Sequence, residues 1–388
     1  MEQSVEGEPS WKHITFFKSV HTGLKKVLFK EYESNIPEII FKKRDEITQY
    51  EKEHKWELAK KLANPYEMVY TQEEKFPYPN ISVVKPLSRS YFKMIEMLYV
   101  TNFLNELPKD KNIRSAHIAE GPGGFMQAII DVAEKEHRTI KKMYAITLKS
   151  DKYYIPGWKK STYFLKKYSD IINISYGKDG TGDIYIKENQ DNFIKNINVK
   201  VNIFTADGGF DFSLDYTQQE KQIFSLLVCS FIIGIQTLGI NGMCIIKIFD
   251  TYSSHTKSLI SICGSLFKQY TLYKPATSRP CNSERYFIGK EFKGLNKQVL
   301  DILKIIYENS LKNNYPYFNL DDNEYNFIEN ISKLHEKKQI EFIDLAKEFA
   351  KNNELYKSYY KDNLNKSYNF CKDFNIVTKP MTSMMNSV

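Results

Sequence analysis

Two charged residues stand where packing alone gives no reason for them. Asp207 follows the apolar run Val201-Asn-Ile-Phe-Thr-Ala206 and precedes Gly208-Gly209, and Lys247 closes the run Cys244-Ile-Ile. A charge at the end of a buried strand is costly without a partner. Taken singly, an Asp before Gly-Gly is a turn former and a Lys can extend its ammonium to solvent. A third segment, Thr277-Ser-Arg279-Pro-Cys-Asn282-Ser-Glu284-Arg-Tyr286, carries further charges into another apolar strand. If these segments meet at one sheet edge, their carboxylates and ammoniums share a common site.

A second kind of chemistry is written in Ser115-Ala-His-Ile-Ala-Glu120-Gly121-Pro122-Gly123-Gly124-Phe125, which reads as a strand, a Gly-rich turn and the start of the amphipathic helix MQAIIDVAEKE. Glycines there let the backbone approach a ligand at the carboxyl edge of the sheet, beside a helix N-terminus. A nucleoside or nucleotide is implied. The spacing is neither GxGxxG nor a Walker loop, since no GK[ST] follows. Further on, Tyr176-Gly-Lys-Asp179-Gly-Thr-Gly-Asp183-Ile184 offers carboxylates at the same edge, for an amine or a ribose hydroxyl. The same residues also suit a solvated turn.

The elements that must position these residues follow from periodicity. Short apolar runs near 114–119, 142–148, 171–175, 201–206, 242–249, 269–273 and 285–290 read as strands, and helices are expected near 89–106, 123–137, 218–239 and 253–266. Alternation of this kind predicts an α/β fold with a mostly parallel seven-stranded sheet over 81–293. Residues 1–80 read as a mainly helical extension, with one helix from 36 to 62 stopped by Asn64-Pro65; residues 294–388 read as a second helical extension.

Composition narrows the classes. The chain has 388 residues, 14% of them aromatic and 26% charged, with a net charge of +8. That excess favours a polyanionic partner, although a Lys-rich composition alone would also produce it. The cysteines (Cys229, Cys244, Cys263, Cys281, Cys371) are scattered without CxxC pairs, which argues against zinc or a disulfide framework and for a reducing compartment. The start, MEQSVEGEPSWKH, lacks the pattern of a secretory signal. Residues 224–246 carry no charge, but Gly239, Asn241 and Gly242 divide them into a buried helix and a strand, so no membrane span is expected.

Together, EGPGGF, ADGGF, IIKIFD and KPATSRPCNSERY resemble the FtsJ-like (RrmJ-type) methyltransferases, and within them the cap-specific mRNA nucleoside 2′-O-methyltransferases of eukaryotes and large DNA viruses. The resemblance spans about Lys85 to Phe292. It implies a Rossmann-like fold that binds S-adenosyl-L-methionine, and a Lys-Asp-Lys-Glu tetrad formed by Lys93, Asp207, Lys247 and Glu284. It also implies that Glu120, Gly121, Pro122, Gly123, Gly124 and Phe125 hold the cofactor, with Asp183 at its adenine, and that no metal is needed. An EGPGG loop in place of the AAPGG of the bacterial rRNA branch, with the long flanks, favours the cap branch. Methylation of rRNA or tRNA ribose is the alternative, as is a non-catalytic RNA-binding subunit, against which the complete tetrad argues.

The expected partner is the 5′ end of capped mRNA, with other capping or transcription proteins meeting the extensions and no membrane involved. Lys85, Arg89, Arg279 and Asn282 flank the tetrad motifs and suit phosphate, although the two arginines could equally pair with acidic neighbours. The loop from Asp211 to Tyr216 is the candidate for a cationic cap ring. The expected location is inside the cell: the cytoplasm (host cytoplasm or virion for a viral source) or the nucleus. Within the tetrad, Lys93 is expected to lower the pKa of Lys247, and the two carboxylates to raise it.

Overall fold

Residues 201–206 are buried at every position, as a strand covered on both faces must be. The computed structural model describes residues 9–19, 26–71, 76–109, 112–152, 155, 157–209 and 218–385. Its strands are β1 (Phe17–Lys18), β2 (Leu28–Glu31), β3 (Ile113–Ile118), β4 (Ile140–Ile146), β5 (Ile172–Ser175), β6 (Val201–Ala206), β7 (Leu238–Ile248), β8 (Phe267–Tyr273), β9 (Arg285–Phe292) and β10 (Asn314–Tyr317). The main sheet runs β1-β8-β9-β7-β6-β3-β4-β5. Pairings from β7 through β5 are parallel, whereas β9 is antiparallel to both β7 and β8, and β1 is antiparallel to β8.

The expected strands are all present, and the sheet is one strand wider than expected, because Phe17 and Lys18 pair with Tyr270 and Gln269. The extension before residue 80 is therefore not only helical. Its β2 also pairs with β10 in a separate two-stranded sheet.

Helices cover both faces. They are α1 (Glu38–Lys52), α2 (Trp56–Leu62), α3 (Ser90–Val100), α4 (Phe103–Glu106), α5 (Gly124–Lys135), α6 (Thr162–Lys167), α7 (Lys187–Asn196), α8 (Gln219–Thr237), α9 (Ser254–Gly264), α10 (Lys297–Ser310), α11 (Asp322–Lys351), α12 (Lys357–Asp373) and α13 (Thr382–Met385). Alternate strand residues point to opposite faces. Ile203 and Ile245 accordingly join a core with Phe92 and Ile95 of α3, Ile129 of α5, Trp56 of α2 and Phe349 of α11. Phe204 and Ile246 join the other core, with Phe231 of α8, Ile260 of α9 and Leu303 of α10. Both extensions thus pack into the core that backs the sheet.

Two local expectations are corrected. The single helix over 36–62 is broken into α1 and α2 at His54, whose φ of +57° no helix accommodates. The expected division into helix and strand is present but falls earlier than 239–242, between Thr237 and Leu238, and residues 239–242 form an irregularity inside β7, where Val201 faces Leu238 but Ile203 faces Met243. No helix among the described residues is long and apolar enough to cross a membrane.

Candidate active site

Every tetrad position is delivered to the carboxyl edge of the parallel strands or beside it. Asp207 follows β6, Lys247 is near the end of β7, Glu284 immediately precedes β9, and Lys93 stands on the first turn of α3. Their side chains are only 11% to 16% exposed. Lys93 Nζ lies 2.5 Å from Glu284 Oε1, and Lys247 Nζ lies 3.0 Å from Asp207 Oδ1 while donating to the Asp207 carbonyl at 2.9 Å.

Tyr286 joins the two pairs. Its hydroxyl donates to Asp207 Oδ1 at 2.8 Å and sits 3.3 Å from Glu284 Oε1. Ser278 Oγ donates to the same Glu284 oxygen at 3.1 Å. Sequence reasoning quoted Tyr286 within its motif without giving it a role; its place two residues after Glu284, with Arg285 pointing to the other face, was the available signal.

The electrostatics of the site favour charge. Burial opposes the Glu284 carboxylate, but Lys93 and Lys247 outweigh it and hold the group well below the usual carboxylate range. Burial likewise opposes the Lys247 ammonium, yet Asp207 and Glu284 more than compensate and raise its pKa. The expected balance between a lysine that lowers this pKa and carboxylates that raise it is thus resolved in favour of the carboxylates. Lys247 is an ammonium with fixed hydrogen bonds. Of its three N–H donors, the contacts to Asp207 occupy two.

The Gly-rich turn lies at the neighbouring strand end. Gly123, which precedes α5, adopts φ +108°, a conformation that residues with a side chain rarely adopt. Ala119 enters the turn at φ +50°. Glu120 is buried; its Oε1 accepts from the Phe125 and Met126 amides at 2.7 and 3.2 Å, so it satisfies the start of α5. Burial and the nearby Asp207 raise its pKa well above that of an ordinary carboxyl. Among the described residues its second oxygen, Oε2, has no hydrogen-bond partner, nor has the indole N–H of Trp158, whose ring lies 3.5 Å from where a Cβ on Gly123 would sit.

Asp183 is carried to the same edge by a loop fastened to the end of β4. Lys149 N donates to the Thr181 carbonyl at 2.7 Å, and a Cβ on Gly182, at φ +70°, would fall 2.0 Å from the Thr147 carbonyl. Asp183 Oδ1 accepts from Tyr185 N at 2.8 Å. The unpartnered acceptor on Glu120 and donor on Trp158, with the Asp183 carboxylate at the same sheet edge as the Gly-rich turn, fit a ligand bearing an ammonium and a nucleoside, as S-adenosylmethionine does.

The residues expected to meet RNA fare differently. Lys85 is exposed. Arg89 and Arg279 both close on Glu67, a buried carboxylate in the turn Glu67–Val69 that sequence reasoning passed over. Asn282 accepts from Lys274 through Oδ1 at 3.0 Å and through its carbonyl at 2.8 Å. Lys274 also donates to the Glu284 carbonyl at 2.9 Å, and burial pushes its pKa down to about 7. Asp211 and Tyr216 lie outside the described residues. Among the described residues no group of three or more His, Cys, Asp or Glu is placed to hold a metal ion.

Residues 86–292 match the profile of a family described as FtsJ-like methyltransferase. The chain belongs to that family. Its relatives include cap-specific mRNA (nucleoside-2′-O-)-methyltransferase 1 of Xenopus laevis, 30% identical over 60% of this chain and 28% of that protein. The protein of that name in Mus musculus is 31% identical over 66% of this chain and 30% of its own length. That of Dictyostelium discoideum is 28% identical over 75% of this chain and 42% of its own. The chain thus spans less than half the length of these curated relatives.

Proposed function

We propose that this chain methylates RNA on a ribose 2′-hydroxyl, at a nucleotide next to the 5′ cap of mRNA, using S-adenosylmethionine. The observation that carries this reading is the continuous hydrogen-bonded set Lys93–Glu284–Tyr286–Asp207–Lys247, formed one strand end from the Gly-rich turn. The names of the relatives support the cap as the substrate.

The cofactor supplies an electrophilic methyl group on a sulfonium, which carries its own leaving group. Glu120, the backbone from Gly121 to Phe125, and Asp183 would hold it. The remaining task is to aim a neutral hydroxyl along the line of displacement, and positioning of this kind is worth several kcal/mol. Lys247 performs it by donating its remaining N–H to the 2′-oxygen, which turns an oxygen lone pair toward the methyl. An ammonium does not accept the hydroxyl proton. That proton passes to solvent water as the new C–O bond forms, since the methylated oxygen is then far more acidic than an alcohol. Lys93 and Glu284 keep Lys247 and Asp207 from rotating out of register.

Phosphate contact requires basic groups near the site; Lys85 is exposed, and the chain carries an excess of positive charge. The site of action is the compartment that holds capped mRNA, inside the cell. Labelled methyl transfer to RNAs identical except for their 5′ ends tests the proposal. Capped RNA should be the good acceptor and triphosphate RNA a poor one; equal transfer to both would assign the enzyme to another RNA.

A further inference from the structure

The segment upstream of the family match reaches the site through Glu67, among other contacts. Glu67 is fully buried in the turn after Asn64-Pro65, and it accepts from three side chains. Arg279 binds it with both arms, Nε to Oε2 at 3.1 Å and Nη2 to Oε1 at 2.8 Å. Arg89 Nη1 lies 3.1 Å from Oε1, and Asn64 Nδ2 donates to Oε2 at 2.8 Å. Burial opposes the carboxylate, but the two guanidiniums hold its pKa down at about 2.

From Glu67 the contacts lead directly to the tetrad. Arg89, immediately before α3, donates to the Tyr70 carbonyl and, through Nη2 at 2.9 Å, to the Thr277 carbonyl. The next residue, Ser278, donates to Glu284 Oε1. Arg279 follows, and its carbonyl accepts from Asn282 N at 3.2 Å. The loop from 274 to 284 therefore has an inner anchor and an outer one. The inner anchor is Glu96, one helical turn after Lys93, whose carboxyl accepts from the Ala276 amide at 2.9 Å. The outer anchor is Glu67 with its two arginines.

We infer that Glu67 is a positioning residue for methyl transfer, fixing through Arg89 and Arg279 the loop that presents Ser278 and Glu284 to the tetrad. Without its charge, two half-buried guanidiniums face each other across a neutral group, and the loop loses its register. The cofactor site is built from other segments, 119–125 and 181–183, whereas Glu67 is bound by Asn64, Arg89 and Arg279, none of which lies in them. The inference rests on the RNA methyltransferase reading above.

The test uses the full chain and compares Glu67→Gln with Glu67→Asp, which keeps the charge one methylene further away. Cofactor affinity is read by calorimetry and single-turnover methyl transfer at saturating RNA by rapid quench. Wild-type transfer to RNA is established first; its absence would sink the methyltransferase reading and leave nothing for Glu67 to position. Given an active wild type, Glu67→Gln should lose between about tenfold and a hundredfold in the single-turnover rate, the scale of a small misplacement of reacting groups. Its cofactor affinity should be unchanged, and Glu67→Asp should recover part of the rate. Where Glu67→Gln does not fold, Arg89→Gln, which releases the Thr277 carbonyl and leaves Arg279 on Glu67, must give the same split between rate and cofactor affinity. An unchanged rate in these variants would overturn the inference. So would a rate and a cofactor affinity that fall together, with Glu67→Asp no better than Glu67→Gln, since that pattern belongs to general loss of structure.

Discussion

The Tyr286 hydroxyl donates to Asp207 Oδ1 at 2.8 Å, across a sequence distance of 79 residues. That one bond, with Glu284 Oε1 3.3 Å away, makes a single unit of two ion pairs that would otherwise be neighbours. Tyr286 is fully buried, so its phenol can find no substitute in solvent.

Tyr286→Phe should therefore slow methyl transfer while leaving cofactor binding alone. A hydrogen bond to a charged group is worth about 1.5–3 kcal/mol, which corresponds to a loss of roughly ten- to a hundredfold in rate. Single-turnover kinetics with saturating cofactor measure it. A rate within twofold of wild type would show that Asp207 and Lys247 hold their geometry unaided.

Lys247→Ala removes the group that touches the substrate oxygen. The expected loss is roughly 100- to 1000-fold or more in the methyl-transfer rate, the cost of deleting one oriented donor at a reacting oxygen. Lys247→Arg should not restore activity, because a planar guanidinium cannot keep both Asp207 contacts and the line to the 2′-oxygen. Substantial activity in either variant would remove Lys247 from the mechanism.

Gly123→Val tests the cofactor turn. At φ +108° a side chain costs about 1–2 kcal/mol of conformational strain, and the added Cβ would meet Leu87 Cδ1 at 3.3 Å. The protein should still unfold cooperatively, at a lower midpoint, while calorimetric titration with S-adenosylmethionine shows no binding. Normal binding would mean that the ligand approaches elsewhere.

His117 makes a prediction about pH. Burial lowers its pKa to about 3, and the neutral ring lies between Ser115 Oγ and Thr205 Oγ1, each at 2.7 Å. The unfolded chain takes up a proton near 6.5 that the folded chain refuses until about 3. Stability attributable to this residue is therefore complete above the unfolded value and falls as pH drops between the two, at about 1.4 kcal/mol per pH unit. Denaturant unfolding from pH 6.5 down to 4 should be less steeply pH-dependent in His117→Gln than in wild type; parallel curves would contradict it.

How much of this could be read from the chain depends on how local each feature is. β6 and β7 were legible because a doubly covered strand must be a continuous apolar run, and α5 because its apolar positions recur at helical spacing. Asp207, Lys247 and Glu284 were legible as charges that end such runs. Short α6 and α7 escaped notice: TYFLKK and KENQDNFIKN are too polar or too brief to impose a period, and they are held by packing, Phe164 in one core and Phe193 in the other. The ion pair of Arg44 with Asp250, at 2.6 Å, and the closure of Arg89 and Arg279 on Glu67 join residues more than 20 to more than 200 positions apart. Nothing in local spacing announces such partners. Only the fold shows that a segment without chemistry of its own supplies the counterion for two arginines beside the site.

The most direct test of the account asks where the methyl group goes. Capped RNA would be incubated with the protein and S-adenosylmethionine, digested with nucleases and analysed by mass, beside a matched RNA carrying a 2′-deoxyribose at the cap-proximal position. The account predicts one methyl on the 2′-oxygen of a cap-proximal nucleotide, and none at that position in the deoxy substrate, which lacks the acceptor. A methyl on a base, or an equal yield from the deoxy and ribose substrates, would contradict it.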